Sequence, residues 1–513
     1  MASPNCGIPG GFHNGAAVGI TNNLALSDAL DGRWAREGTR VAIREGDREI
    51  TFRDLLRWSQ ALSQILEPII REPGQRVALL LPNSAAFVAA FFAIARLGGV
   101  VAPLSAQYRS QELVYYLNDL DAVAVLTDSR FVEHVTAIMP RLKRAPAIVG
   151  VPPGQDARLL QPGPGGGRPV STADSAPLVQ QYTSGSTGVP KRVVRTHSAL
   201  HLELEALHTT FETGEADRFL GVAPFSHVNG LVRTMMSAAY TGATLYPVEE
   251  FKRREILDLI ARERITFLGA VPQVFSILSQ TPTRGEVDLS SLRVVFSSSA
   301  PLLPADNRRF EARYGIVVRQ LYGSTETGTI SFNRDPASES RIESVGAPID
   351  GVRVDVLDEK GQALAPGLEG ELTIASPFAA SGYLDNEVAT RESFRGGAYF
   401  SGDMGTKDAR GTLTITGRKK LMINRGGFKV NPYEVEAAIK EHPKVVDVAV
   451  FGARSPQGDD LVRAVIVSSE PCTTEEILAH CRERIADYKI PARIEFRDAL
   501  RKSATGKILR SEL

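Results

Sequence analysis

Apolar runs and amphipathic stretches alternate along the first third of the chain. Residues 76–81 read as a buried strand, because a short continuous apolar run bounded by turn residues leaves no face for water. Residues 84–96 follow as a helix, capped by Ser84 and stopped by Gly98 and Gly99, and 100–103 form the next strand. The same alternation predicts a strand at 122–127, a helix at 128–139 closed by Pro140, and a strand at 147–151. A strand–helix–strand rhythm predicts a largely parallel sheet covered by helices.

A Pro/Gly-rich segment at 152–169, with Gly165, Gly166 and Gly167, has little to bury and reads as a mobile connection. Beyond it the alternation resumes, with helices predicted at 198–211, 231–240 and 253–263, and strands at 218–223, 244–247 and 267–270. From 351 to 415 the pattern changes to short strands separated by turn residues at 358–361, 366–367 and 409–411, which predicts an antiparallel or barrel-like module. After Gly417 comes a unit of roughly a hundred residues, near the common domain size, with helices at 432–441 and 474–485 and strands at 445–451 and 462–467. The expected class is α/β. A large N-terminal domain over 1–417 holds parallel α/β sheets and a barrel-like β subdomain at about 340–416, and a small α+β domain occupies 418–513.

A length of 513 residues fits at least two domains and the size of an enzyme. The 59 basic and 59 acidic side chains cancel, which argues against nucleic acid or an anionic membrane as a partner held by long-range attraction. Any anion is therefore expected to be bound locally. The cysteines, Cys6, Cys472 and Cys481, are too few and scattered for a disulfide framework or a zinc cluster, and their odd number fits a reducing compartment. No Lys or Arg precedes Arg33, so a charged secretory n-region is not expected, and a cytoplasmic location follows. The apolar run 85–95 is about half of what a bilayer span needs and reads as a buried helix.

The chemistry concentrates in Tyr182-Thr183-Ser184-Gly185-Ser186-Thr187-Gly188-Val189-Pro190-Lys191. Glycines let backbone amides turn inward, the hydroxyls of Thr183, Ser184, Ser186 and Thr187 can donate to phosphate oxygens, and Lys191 supplies a mobile cation. The stretch reads as a phosphate cradle, although most Ser/Gly turns are surface loops, and no Gly-Lys-Ser/Thr ends it as in a Walker loop. A second polar turn, 320–328, presents Tyr322 and Gly323 for a planar base, then Ser324, Thr325 and Glu326. Thr325 offers a phosphate donor and Glu326 a magnesium carboxylate; the alternative is a helix N-cap with an acid in its first turn.

Together with Tyr399-Phe400-Ser401-Gly402-Asp403, Gly417-Arg418-Lys419-Lys420 and Ala504-Thr505-Gly506-Lys507, these motifs occur in an order that resembles the adenylate-forming superfamily of acyl-CoA synthetases, peptide-synthetase adenylation domains and luciferases. The resemblance runs from about the first strand to Leu513. It implies an active site between the large domain and a mobile small one, with Lys420 as hinge. It implies that Asp403 and Arg418 hold the ribose, that Ser298, Ser299, Ala300 and Pro301 line the adenine pocket, and that Tyr322 stacks on the base. Glu326, with Thr187, would hold Mg2+, and Lys507 would bridge the carboxylate and the α-phosphate during adenylation, with Lys191 on the phosphates. Phe225 and His227, in Phe225-Ser226-His227-Val228-Asn229-Gly230, match the segment beside the acyl pocket, whereas a lone histidine near a strand end is more often structural, as we read His197. Gly426 and Gly427 would let the coenzyme A arm pass the backbone, and Lys429 would contact AMP.

This sequence departs from the family at Asn424, where several relatives carry Lys, at Arg192 and at Arg501. The expected reaction is ATP-dependent: carboxylic acid and ATP give acyl-AMP and pyrophosphate, and the coenzyme A thiol then gives acyl-CoA and AMP, in a monomer or homodimer. Rivals are a stand-alone enzyme that loads a carrier-protein phosphopantetheine and a non-catalytic nucleotide-binding switch. No Phe-Asp pair stands at Phe225-Ser226, which makes amino-acid substrates an unfavourable reading. Aryl acids, short and medium aliphatic acids and small dicarboxylates stay open.

Overall fold

In the computed structural model the strand expected at 76–81 runs over Arg76–Leu80, between Val100–Pro103 and Ala124–Asp128, and is parallel to both. The structure describes residues 26–151, 173–183, 190–283, 285–335, 343–425, 428–454, 460–502, 508–510 and 513. The first sheet has six strands, in the order Ala147–Val151, Ala124–Asp128, Arg76–Leu80, Val100–Pro103, Pro177–Thr183 and Lys191–Thr196. Its last pair is antiparallel. That hairpin was not among the predicted elements. Helix Ala85–Arg96, capped by Ser84 through Phe87 N, is buried along its whole length. A helix apolar on every face up to its terminal Arg96 has no side for solvent. Its Phe and Ile side chains join Val77 and Leu79 of the first sheet to Phe219, Leu245 and Phe267 of the second in one core.

The second sheet has 14 strands. Its parallel part contains Val41–Glu45, Thr244–Pro247, Arg218–Gly221, Phe267–Ala270, Val294–Ser297 and Arg319–Ser324. At Arg319–Ser324 the direction changes, because the next strand, Gly328–Phe332, folds back antiparallel against it. Ser344–Pro348, Leu413–Arg418, Ala398–Lys407, Gly370–Ala375 and Arg353–Leu357 continue the antiparallel ladder. This is the antiparallel module expected over 351–415; among the described residues the ladder ends at Arg353–Leu357. The turn at 324–328 supplies a partner to the edge of the parallel sheet, so the β-rich segment continues from it.

The helix expected at 231–240 is a π-helix over Asn229–Met236 that runs into an α-helix over Ser237–Thr241. Thr234 and Ser237 hydroxyls donate to the carbonyls five residues back, at 3.2 and 3.0 Å. Gly230 begins this wide turn where a Cβ would overlap the Pro224 and Ala223 carbonyl oxygens. A π-bulge of this kind is rare and concentrates at functional sites.

The small domain has a sheet of Val445–Arg454, Asp460–Ser468 and Arg493–Phe496, the last parallel to its neighbour and absent from the sequence prediction. Helices Pro432–Lys440 and Thr474–Arg482 cover it over a core that includes Val435, Ile439, Val448, Val462, Ile466 and Ile477. Helix Thr474–Arg482 ends three residues earlier than expected. Among the described residues no helix is long and apolar enough to cross a membrane.

Candidate active site

The phosphate-cradle motif joins the two arms of the hairpin Pro177–Thr183 and Lys191–Thr196, in which Tyr182 pairs with Arg192 and Thr183 with Lys191. Ser184, Gly185, Ser186, Thr187 and Gly188 lie outside the described residues. The arms fix where that motif starts and ends. The Lys191 ammonium stands 4.3 Å over the ring of Tyr383, a cation–π contact. The Tyr383 hydroxyl donates to Glu326 Oε1 at 2.9 Å. Burial, and then the Glu326 carboxylate, push the Tyr383 phenol well above its ordinary value, so it remains a donor. Tyr383 is anchored by Leu384 N donating to Arg192 O at 2.9 Å and by a bridge between Val193 and Tyr383. Lys191, Tyr383 and Glu326 thereby form one chain of contacts. Tyr383 was missed from the sequence, where nothing local marks it.

Tyr322 donates its hydroxyl to Asp403 Oδ2 at 2.7 Å, and Arg418 Nε donates to Asp403 Oδ1 at 2.7 Å. Asp403 and Arg418 are cross-strand partners, so the antiparallel register itself places the pair. Burial pulls the Arg418 guanidinium down, but Asp403 outweighs it and holds the group above its usual value. Burial followed by Asp403 pushes Tyr322 well up. The sequence thus predicted three residues that the fold brings into direct contact.

Ser298 is buried at the end of strand Val294–Ser297, and Ser299 turns the chain with a φ of 75°. Ser299, Ala300 and Pro301 then line a cleft of about 950 Å³ together with Tyr322, Gly323, Asp403 and Arg418. Gly323 has to be bare, because a Cβ there would overlap Arg233 Nη2 and stand 2.5 Å from Gly328 O. The Ser324 hydroxyl accepts from Thr327 N at 3.1 Å and so shapes the turn that carries the half-buried Thr325 and the buried Glu326.

The small domain supplies the facing wall of the cleft, including Asp447, Lys502, Ile508 and Arg510. Lys502 pairs with Asp447 at 2.6 Å, and Arg510 is paired with Glu436. Lys507 lies outside the described residues, between Lys502 and Ile508; Gly426 and Gly427 are also outside them. Lys420 sits in the short turn Lys419–Leu421 directly after strand Leu413–Arg418. Lys429 lines the cleft but gives its ammonium to Glu359 at 2.8 Å. That surface pair occupies the group expected to reach AMP.

Phe225 is buried against Phe87 with ring centroids 5.4 Å apart, and its backbone N donates to Asn83 Oδ1 at 2.8 Å. It is a core residue. His227 is held near a pKa of about 4 by burial and is a neutral imidazole; its Nε2 is buried without a hydrogen-bond partner. Below Gly323 and Ser298 lies a charge cluster that sequence reasoning missed. Arg195 Nη2 donates to Glu203 Oε2 at 2.8 Å, Thr329 N and Oγ1 donate to Glu203 Oε1 at 2.8 Å each, and Arg233 Nε donates to Thr329 Oγ1 at 2.9 Å.

Among the described residues no group of three or more His, Cys, Asp or Glu could hold a metal ion. A single buried carboxylate, Glu326, fits a magnesium ion that brings phosphate ligands with it, because Mg2+ usually takes one or two carboxylates beside phosphates and water.

A protein-family model described as AMP-binding enzyme matches residues 30–384, and the AMP-binding enzyme C-terminal domain matches 434–507. The chain belongs to the AMP-binding, adenylate-forming enzymes. It is an AMP-forming acid–thiol ligase of the acyl-CoA synthetase type. Feruloyl-CoA synthase of an Amycolatopsis species is 32% identical over 94% of this chain and 98% of its own. The long-chain-fatty-acid–CoA ligase FadD13 of Mycobacterium tuberculosis is 31% identical over 91% and 93%. The ATP-bound crystal structure of MatB from Rhodopseudomonas palustris superposes with a TM-score of 0.86 at 26% identity, covering 95% of this chain and 98% of that one. Two enzymes named for unlike acids stand at nearly equal identity. Membership in the family therefore leaves the acid to be read from the pocket.

Proposed function

We propose that the enzyme converts a carboxylic acid, ATP and coenzyme A into acyl-CoA, AMP and pyrophosphate. In the first step a carboxylate oxygen attacks the α-phosphorus, the α–β phosphoanhydride bond breaks, and pyrophosphate leaves. In the second the coenzyme A sulfur attacks the acyl carbon, the acyl–oxygen bond breaks with its electron pair going to AMP, and the thiol proton is released. The single observation that carries this reading is the convergence of Tyr322, Asp403 and Arg418 on one side of the cleft whose other wall holds Lys502 and Ile508. Asp403 accepts from the ribose hydroxyls while Arg418 keeps its carboxylate oriented. Ser299 and Ala300 leave room for the base, and Tyr322 is the flat wall beside it.

Lys191 and the motif between the hairpin arms, including Thr187, hold the pyrophosphate end. Glu326, oriented by Tyr383, holds the magnesium ion; when bound, that ion neutralises phosphate charge that would otherwise repel the carboxylate. Lys507 neutralises the two anions that must meet, and rotation about Lys420 exchanges it for Gly426 and Gly427, past which the coenzyme A arm reaches the adenylate. The acid–thiol exchange is tested by K507A. The variant is expected to lose adenylation of free acid yet retain thioester formation from supplied acyl-AMP. Equal loss of both half-reactions would remove the assignment. Pyrophosphate release that never yields a coenzyme A thioester would instead favour carrier-protein loading.

A further inference from the structure

The charge cluster beneath the 322–329 turn does not balance. Arg195, Glu203 and Arg233 are 1%, 0% and 3% exposed, so two guanidinium groups share one carboxylate away from water. Arg195 pairs with Glu203 directly. Arg233 has no carboxylate within ion-pair distance among the described residues; its hydrogen-bond partners are the hydroxyls of Thr329, at 2.9 Å, and Ser298, at 3.5 Å. Hydroxyls supply lone pairs and no charge. An uncompensated buried cation is costly enough that such groups are normally paired or become paired on binding.

The position of the excess charge is informative. Arg233 Nη2 lies against the bare Cα of Gly323, a cleft-lining residue, and its Nη1 faces Ser298, next to the lining residue Ser299. One helical turn earlier on the same π-helix, Asn229 is 4% exposed, and both its Oδ1 and its Nδ2 lack partners. His227 Nε2, two residues before that, also lacks one. The segment expected beside the acyl pocket thus holds one unneutralised guanidinium, one unsatisfied amide and one unsatisfied neutral imidazole. An alkyl chain packed there would bury all of them without recompense. An anionic oxygen group would satisfy them.

We propose that Arg233 is a specificity-determining residue of the acyl pocket and that the acid activated here carries a second carboxylate, which docks on the Arg233 guanidinium with Asn229 as its hydrogen-bond partner. This rests on the acid–thiol ligase reading. The first carboxylate goes to adenylation, and the second replaces the counter-charge that Glu203 cannot give to two cations at once. Arg195 and Glu203 hold Arg233 in place through Thr329 and are positioning residues.

The test is pyrophosphate release by the full-length enzyme with ATP, Mg2+ and coenzyme A, using acids matched in chain length: malonate with propionate, succinate with butyrate, glutarate with valerate. At least one diacid is expected to exceed its matched monoacid in kcat/KM by about 30-fold or more, the order expected of a buried charge pair. R233M should collapse that ratio, mostly through the diacid's KM, whereas R233K should recover part of it. A merely structural Arg233 would lower both acids together and leave the ratio unchanged. Activation of monoacids with no diacid ahead of its match overturns the inference and leaves the ligase reading intact. Release with none of these acids, nor with aryl or longer aliphatic acids, removes the ligase reading and this inference with it. If R233M does not fold, the wild-type ratio decides alone.

Discussion

Replacing Glu203 by Gln removes the one anion from a buried cluster and keeps its shape. In the native protein the carboxylate accepts from Arg195 Nη2, Thr329 N and Thr329 Oγ1, each at 2.8 Å, with no exposure to solvent. Burial pushes its pKa up, but Arg195 and Arg233 outweigh that and hold it below the ordinary carboxylate value. In E203Q the amide oxygen can still accept from Thr329, while the amide nitrogen turns a donor toward the Arg195 guanidinium. Breaking a buried pair by removing one partner costs about 3–5 kcal/mol, and the retained oxygen places this substitution near the lower end. At about 1.4 kcal/mol per tenfold change, 3 kcal/mol corresponds to roughly a 100-fold increase in local opening. The assay is hydrogen exchange at the Thr329 amide, which reads the opening of that turn even in a chain too large for two-state unfolding. Exchange within about threefold of wild type in E203Q would refute the reasoning, because the carboxylate would then contribute less than 1 kcal/mol.

His197, 1% exposed with neither ring nitrogen partnered, has a pKa lowered from 6.5 to about 4 by burial. Between those values the unfolded chain takes up a proton that the folded protein excludes, so stability falls as pH drops through this window and levels off below about 4. The loss reaches about 3 kcal/mol, and H197Q should flatten that part of a pH series of urea midpoints; an identical slope in the variant would count against it. Y383F deletes the donor to Glu326 and keeps the ring under Lys191. A neutral-to-charged bond of this kind contributes about 1.5–3 kcal/mol, so kcat should fall about 10- to 100-fold, with the deficit smaller at saturating Mg2+; wild-type turnover would remove Tyr383 from the site.

The readable parts of the chain are those in which local pattern and tertiary role coincide. Residues 76–103 show it best: a buried strand, a cap and a helix apolar up to its terminal Arg96 are each visible in a window of a few residues and need no knowledge of the partner. The motifs around Tyr322, Asp403 and Arg418 were legible as motifs, and the fold brings those three side chains into one hydrogen-bonded group. The module at 351–415 was legible as antiparallel because short strands separated by tight turns report that pairing directly. The hairpin Pro177–Thr183 and Lys191–Thr196 was hidden by its buried polar members, Gln180, Gln181 and Arg195, which break the apolar alternation that marks a strand.

The residues of the buried charge cluster were hidden most completely. Glu203 stands in the helix His197–Phe211 and Arg233 in the π-helix Asn229–Met236, each among apolar neighbours whose periodicity announces burial. A charge on such a face is itself a signal: burial is stated by the pattern, and a buried charge demands a partner. Local sequence cannot name the partner, because Arg195, Glu203, Arg233 and Thr329 come from separate elements and meet only in the folded chain. Counting charges across that cluster is therefore what separates two kinds of buried arginine. Arg195 has its carboxylate and serves to position Arg233, whereas Arg233 is left with hydroxyls behind the cleft-lining Gly323, so in the proposal above its counter-charge arrives with the substrate.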